Sequence, residues 1–225
     1  MSSFVLVHGI CHGAWCWERT VEGLTERGHH VVAVDLPLTS LAADAATVEE
    51  ALDEIAEQAI LVGHSYGGLV ISKAAAGRSD VEQLVYVAAV MLDSDDVFLE
   101  RTADFPATPL AGQVEITDGR IVVSPDAAIV GFYNTCDAAD AAAAAGRLRP
   151  TSAECLATPP GAEPWRTIPS TYLLCDQDQA IHPDMQRWMS SRAGEVIAYD
   201  TDHSPFLSTT AQLVDDLDRL ARRRG

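Results

Sequence analysis

Residues 61–70 read LVGHSYGGLV. An apolar run reaches Gly63, passes through His64, Ser65 and Tyr66, and leaves through Gly67 and Gly68 into a second apolar run. The first run suits a buried strand and the second a helix. Glycine two places before and two places after a serine describes a strand-to-helix turn tight enough to force the central residue into a sparsely populated backbone conformation. Side chains at the two glycine positions would collide there. The pattern G-x-S-x-G is that of the nucleophile elbow, which lifts a serine hydroxyl clear of the sheet and aims the amino end of the next helix at the same point. Five letters alone arise by chance in roughly one chain in ten of this length. The reading therefore rests on context, against a Gly-rich turn carrying an incidental serine.

The context is an alternation. FVLVH (4–8), HVVAVDLP (30–37), AILVGH (59–64) and VEQLVYVAAV (81–90) read as strands. Helical spacing lies between them at 14–28, at 47–58, opened by a Thr47–Glu50 capping box, and at 67–77. The strands are apolar throughout, which predicts a parallel sheet covered on both faces. From Asp93 to about Trp165 the pattern breaks. A hairpin is expected at VEITDGRIVV (114–123), turning at Asp118-Gly119, with helices near 126–134 and 137–148, and prolines at 106, 109, 150, 159, 160 and 164 punctuate the segment. The alternation resumes with strands at 170–176 and 195–200, a helix at 183–194 and a closing helix over 204–223. The division predicted is one domain, with a core of 1–92 and 166–225 and an insertion, 93–165, lying above the sheet after the fourth strand.

Fifteen basic residues against 33 acidic ones give a net charge of −18 over 225 residues. Such a surface argues against nucleic acid and anionic membrane as partners. The five cysteines form no CxxC pair, so neither a disulfide framework nor a metal site is expected. No apolar run is long enough for a bilayer span and no signal peptide is read; the expected compartment is the cytoplasm. The terminal ARRRG is expected to close a helix, where cations complement the dipole.

A serine nucleophile needs a base, and the base an orienting acid, which on this fold follow in the order Ser, acid, His. His203 is the histidine that follows the last strand. His64 must point away from the turn, His29 and His30 fall at an exposed junction, and His8 and His12 belong to the loop after the first strand, where they can tie loops together. For the acid, Asp176 and Asp178 both follow the strand ending at Cys175. Asp178 fits better, being further into the loop, while Asp202 is too close to His203 in sequence to meet its ring in plane. The first loop, HGICHGAW, is where a second oxyanion donor belongs. Gly9 would let its backbone approach closely, and the Ile10 and Tyr66 amides would then face one oxygen. Phe98, Phe132 and Tyr133 are candidates for pocket lining or cap core.

FVLVHGICHGAWCW, GHSYGG, FYNTCD, CDQDQAIHPDMQRWM and DHSPFLS together resemble the α/β-hydrolase family of plant methyl-ester esterases and hydroxynitrile lyases, with their bacterial esterase relatives. The resemblance spans first strand to last helix and is loosest over 93–165, the insertion that it implies forms a small cap. It implies an α/β-hydrolase fold, mostly parallel sheet flanked by helices, with a triad of Ser65, Asp178 and His203 and oxyanion amides at Ile10 and Tyr66. Gly9, His12 and Phe132 are then expected against the substrate. It implies no cofactor, a small-molecule ester as partner, and compatibility with a homodimer. The lyase branch carries a threonine where this chain has Gly9, and a lysine after the catalytic histidine where this chain has Ser204. Without that cation, cyanide release is poorly supported, and the esterase branch is expected. The alternatives are a hydroxynitrile lyase on the same scaffold and a non-catalytic small-molecule binding protein.

Overall fold

Strands whose apolar residues fall on both faces must be covered on both faces. The computed structural model, which describes residues 1–223, arranges them that way. Alternating elements build the first half: β1 (Ser3–Val7), α1 (Glu18–Glu26), β2 (His30–Val34), α2 (Leu41–Ile55), β3 (Ala59–His64), α3 (Gly67–Ala74) and β4 (Val81–Val87). Between residues 93 and 165 lie α4 (Phe98–Arg101), β5 (Val114–Thr117), β6 (Arg120–Val123), α5 (Pro125–Gly131), α6 (Ala138–Ala145), β7 (Thr151–Ser152) and α7 (Glu154–Ala157). The alternation then closes with β8 (Ser170–Cys175), α8 (Pro183–Ser190), β9 (Glu195–Tyr199), α9 (Pro205–Ser208) and α10 (Thr210–Arg222).

Six parallel strands form one sheet in the order β2-β1-β3-β4-β8-β9. The inner strands β1, β3 and β8 are buried along their whole length, whereas the edge strands β2 and β9 are partly open. A separate hydrophobic cluster covers each face. The chain runs from β1 outward to β2, then crosses back to β3. The strand order therefore reverses between β1 and β3, and a crevice opens at their carboxyl ends, where open α/β sheets bind ligands. The first loop and Ser65 both leave the sheet at that point.

Several boundaries differ from the sequence reading. Helix α2 begins two turns before Thr47: Ser40 is extended and its hydroxyl accepts the Ala43 N–H at 3.2 Å. Thr47 is interior and donates back to the Ala43 carbonyl, so the Thr47–Glu50 capping box does not form. The buried stripe of Leu41, Ala45, Val48 and Leu52 explains the earlier start. Strand β4 ends at Val87, because Ala88 turns into a left-handed conformation with φ 44°. The closing helix is broken at Thr209, which is not helical (φ −137°). The hairpin forms where expected, with Asp118 and Gly119 both at positive φ (50° and 73°), and an unexpected strand β7 adds to it. Arg222 of the terminal basic run occupies the last turn of α10 as expected, together with Arg219 from outside that run, and the run's last two residues lie outside the described ones.

Candidate active site

At the end of β3 the chain turns through Ser65 with φ 54°, a left-handed conformation that a side-chain-bearing residue rarely adopts. A Cβ on Gly63 would lie 2.5 Å from the Gly67 carbonyl oxygen, and one on Gly67 would lie 2.6 Å from the Val7 carbonyl oxygen. Both glycines are thus sterically required for the bend. Ser65, on the wall of a cavity of about 510 Å³, shares it with His203, Ile10 and Tyr66.

His203 reaches this cavity from the loop after β9. Its Nδ1–H donates to Asp178 Oδ2 at 2.6 Å, with both side chains buried. That bond fixes the tautomer and leaves Nε2 as the basic nitrogen. Asp178 is held in turn: its Oδ1 accepts the Ala180 and Ile181 N–H groups at 2.7 and 2.9 Å, and its Oδ2 accepts Gln186 Nε2 at 2.6 Å. Asp176 takes no part. It is partly exposed and paired at the surface with Arg187 at 2.5 Å. Asp202 faces away from the His203 ring. It accepts Thr135 N–H at 2.9 Å, Ser204 N–H at 3.0 Å and the Ser208 hydroxyl at 2.8 Å, and so clips the 93–165 segment to the histidine loop. Among the described residues no hydrogen bond joins Ser65 to His203; such contacts commonly tighten only once substrate is bound.

The first loop supplies the opposite wall. A Cβ on Gly9 would stand 2.7 Å from Ser65 Cβ, so glycine is what allows this backbone to lie against the serine. The N–H groups of Ile10 and Tyr66 find no acceptor among the described residues. Two histidines orient the first of them. His8 Nδ1 donates to the Gly9 carbonyl at 2.8 Å, which belongs to the same peptide as the Ile10 N–H. His12 Nδ1 donates to the Ile10 carbonyl at 2.8 Å, and its Nε2 accepts the Tyr133 hydroxyl at 2.8 Å.

His12 and Tyr133 therefore stand one layer behind the cavity instead of lining it, contrary to the expectation of His12 against substrate. Both ring nitrogens of His12 are already used, and burial lowers its pKa to about 3. Gly9 likewise acts through its backbone and is absent from the cavity wall. Phe132 and Phe98 do line the cavity, and Phe132 stacks on the His203 ring with centroids 5.6 Å apart. His64 lies beneath His203, its Nε2–H donating to the His203 carbonyl at 2.8 Å; burial drives its pKa well down. His29, expected at an exposed junction, is buried against Phe4 and bonded to Asp218 at 2.9 Å, because α10 packs over it.

Sequence reasoning missed Asp44. This fully buried carboxylate on α2 accepts the Leu38 N–H at 2.8 Å and the Tyr66 phenol at 2.6 Å, with the Cys155 thiol 3.6 Å away. Burial first, and then the Asp44 bond, raise the Tyr66 pKa, so the phenol stays protonated and donates. Its one advance signal is an acid within an otherwise apolar helical stripe. Gln186, bonded to both Asp178 and the Cys175 backbone, was missed as well.

The sequence profile of the Alpha/beta hydrolase family matches residues 4–216. The chain belongs to the α/β hydrolase family. Esterase PIR7B of Oryza sativa subsp. japonica is 30% identical over 98% of this chain and 96% of its own length. Methyl jasmonate esterase 1 of Vitis vinifera is 30% identical over 93% of each chain. Among solved structures, polyneuridine aldehyde esterase superposes with a TM-score of 0.84 at 21% identity, covering 98% of this chain and 99% of that one. That identity supports the fold alone. Among the described residues no helix is long and apolar enough to cross a membrane.

Proposed function

We propose that this α/β hydrolase is a serine esterase that cleaves carboxylic esters through an acyl-enzyme. The observation that carries the reading is the convergence on one cavity of Ser65, the Asp178-held His203 and two N–H groups that have no acceptor among the described residues. Ser65 Oγ attacks the ester carbonyl while His203 Nε2 takes its proton. The oxygen that becomes an oxyanion is received by the Ile10 and Tyr66 N–H groups, each of which is worth roughly 3 kcal/mol in the transition state. His203 returns the proton to the departing alkoxide, releasing the alcohol. It then deprotonates water, which attacks the acyl-Ser65 carbonyl and frees the acid. Asp178 keeps Nδ1 protonated and stabilises the imidazolium between these transfers.

Relatives named esterase and methyl jasmonate esterase support ester cleavage over other acyl chemistry. Ser204, the neighbour of His203, is uncharged and fully buried, so no cation stands where cyanide release would need one. The 93–165 segment works as a cap over the crevice. The five cysteines, free among the described residues, suit a reducing cytoplasm.

Labelling with a serine-reactive fluorophosphonate, followed by mass mapping, tests the assignment. The label is expected on the peptide containing Ser65, with ester turnover lost in proportion to labelling. A labelled peptide elsewhere, or full turnover by Ser65→Ala, would sink it.

A further inference from the structure

The cavity that holds Ser65 is closed mainly by residues of the 93–165 segment, and among the described residues its wall contains no Lys, Arg, Asp or Glu; His182 is the titratable side chain on it besides Tyr66 and His203. Away from the triad, the nearest approach to a counter-ion is His182, whose Nδ1 already accepts the Asp184 N–H at 3.1 Å, so a charged group on a ligand would lose its hydration largely uncompensated. The net charge of −18 adds a general repulsion of anions. At about 510 Å³ the cavity is in the range that accepts drug-sized molecules.

Two wall residues are unusual. Leu99 on α4 is 46% exposed and Ile116 on β5 is 65% exposed. A scattered exposed aliphatic side chain is ordinary. These two come from separate elements, yet both border the same cavity, so they mark where it opens. Behind them the wall continues with Phe98, Val114, Ile121 and Leu156. An apolar track thus runs from the serine to solvent.

We propose that Leu99 and Ile116 are specificity-determining residues that receive the far end of a long, uncharged, apolar arm of the ester. This inference rests on the ester-hydrolase reading and names its substrate class: neutral esters with an extended aliphatic or fused-ring arm, acyl or alkoxy, rather than short or ω-charged ones. The length of the apolar contact, absent from an acetyl group, supplies the discrimination.

The test uses the full chain with p-nitrophenyl acetate, p-nitrophenyl octanoate and mono-p-nitrophenyl suberate, and with methyl and octyl phenylacetate for the other arm. At least one series should gain tenfold or more in kcat/KM on lengthening. The suberate, an octanoate-length arm ending in carboxylate, should fall at least a hundredfold below octanoate. Leu99→Ser and Ile116→Ser should each lower the long-to-short ratio about fivefold, and Leu99→Lys should raise the suberate relative to octanoate. Flat length dependence in both series, equal use of suberate, or ratios untouched by all three substitutions would overturn the inference while leaving the esterase reading in place. So would an unchanged length profile accompanied by loss of self-association in Ile116→Ser, which would make the pair a contact between copies. Failure of the unsubstituted chain to cleave any of the esters would sink the esterase reading itself, and this inference with it.

Discussion

Two buried carboxylates flank Ser65, and they do different things with the same chemistry. Asp178 stands behind His203 and Asp44 behind Tyr66; both are almost wholly buried and both are satisfied by N–H and O–H donors. Neither has a cationic side chain within hydrogen-bonding distance among the described residues. The difference lies in the partner. An imidazole has two inequivalent nitrogens, so the group facing Nδ1 decides whether Nε2 is a base. A phenol has one oxygen that both donates and accepts, so the group facing it decides where Tyr66 stands and nothing about proton transfer. One carboxylate therefore controls a protonation pattern, and the other a position.

The sharpest way to break that distinction is to make the same isosteric change on each side. Asp178→Asn presents an amide N–H₂ to His203 Nδ1, or an oxygen that has lost its charge. The tautomer with Nε2 protonated becomes favoured, and kcat should fall by about four orders of magnitude with the fold retained. Asp176→Asn, two residues earlier and paired only with Arg187 at the surface, should stay within about twofold. Steady-state kinetics on one p-nitrophenyl ester, with thermal unfolding as the control for folding, reads both. The reverse ranking would mean that the acid has been misassigned.

Acid should separate the two flanks next. His12 and His64 are held neutral by burial, the first with a pKa of about 3 against an ordinary 6.5, the second well below it. For a group whose folded pKa is depressed, the unfolded chain binds the proton first, so stability falls with pH between the two values. The contribution of His12 is complete above pH 6.5, and by pH 5 about 2 kcal/mol of it should be gone. Urea titrations at pH 7 and pH 5 measure the loss, and His12→Gln should flatten it. An equally steep pH dependence in that variant would contradict the assignment.

How much of this could be read from the residues depends on how many alternatives physics leaves open. Around Ser65, few remain. The bend admits only glycine at 63 and 67, and the chain order on this topology puts the proposed acid and base at the ends of β8 and β9. The sheet was legible for the same reason, since unbroken apolar runs have no stable home except between two layers. Loop position favoured Asp178 over Asp176, but the deciding contact is with a ring 25 residues away. His12 was misjudged because loop position gives proximity to the serine but not the direction of a side chain. Asp44 showed only as an acid within an apolar stripe, because its partners, Leu38, Tyr66 and Cys155, come from three separate parts of the chain. The 93–165 segment was the least legible: short helices and alanine-rich turns are compatible with many packings, and what selects one is contact with the core. The motif FYNTCD shows this, with Phe132 on His203, Tyr133 on His12, and Thr135 and Cys136 on Asp202.

The smallest effect completes the comparison. In Asp44→Asn the remaining carbonyl oxygen can still accept the Leu38 N–H, while the amide N–H₂ donates to a Tyr66 hydroxyl that rotates to accept it. The Tyr66 O–H loses its carboxylate acceptor but gains an N–H donor and still has the Cys155 sulfur beside it, so kcat should fall no more than about tenfold, which corresponds to roughly 1.4 kcal/mol. KM should hardly move, because the shifted Tyr66 amide acts mainly on the oxyanion. Affinity for a trifluoromethyl ketone, whose adduct carries that oxyanion, should fall in parallel with kcat. Asp44→Ala differs: it leaves the Leu38 N–H and the Tyr66 O–H buried without an acceptor, and unfolding should become easier by roughly 2–4 kcal/mol. If Asp44→Asn instead lost activity as deeply as Asp178→Asn, Asp44 would be taking part in proton transfer, and the division between a carboxylate that sets protonation and one that sets position would fail.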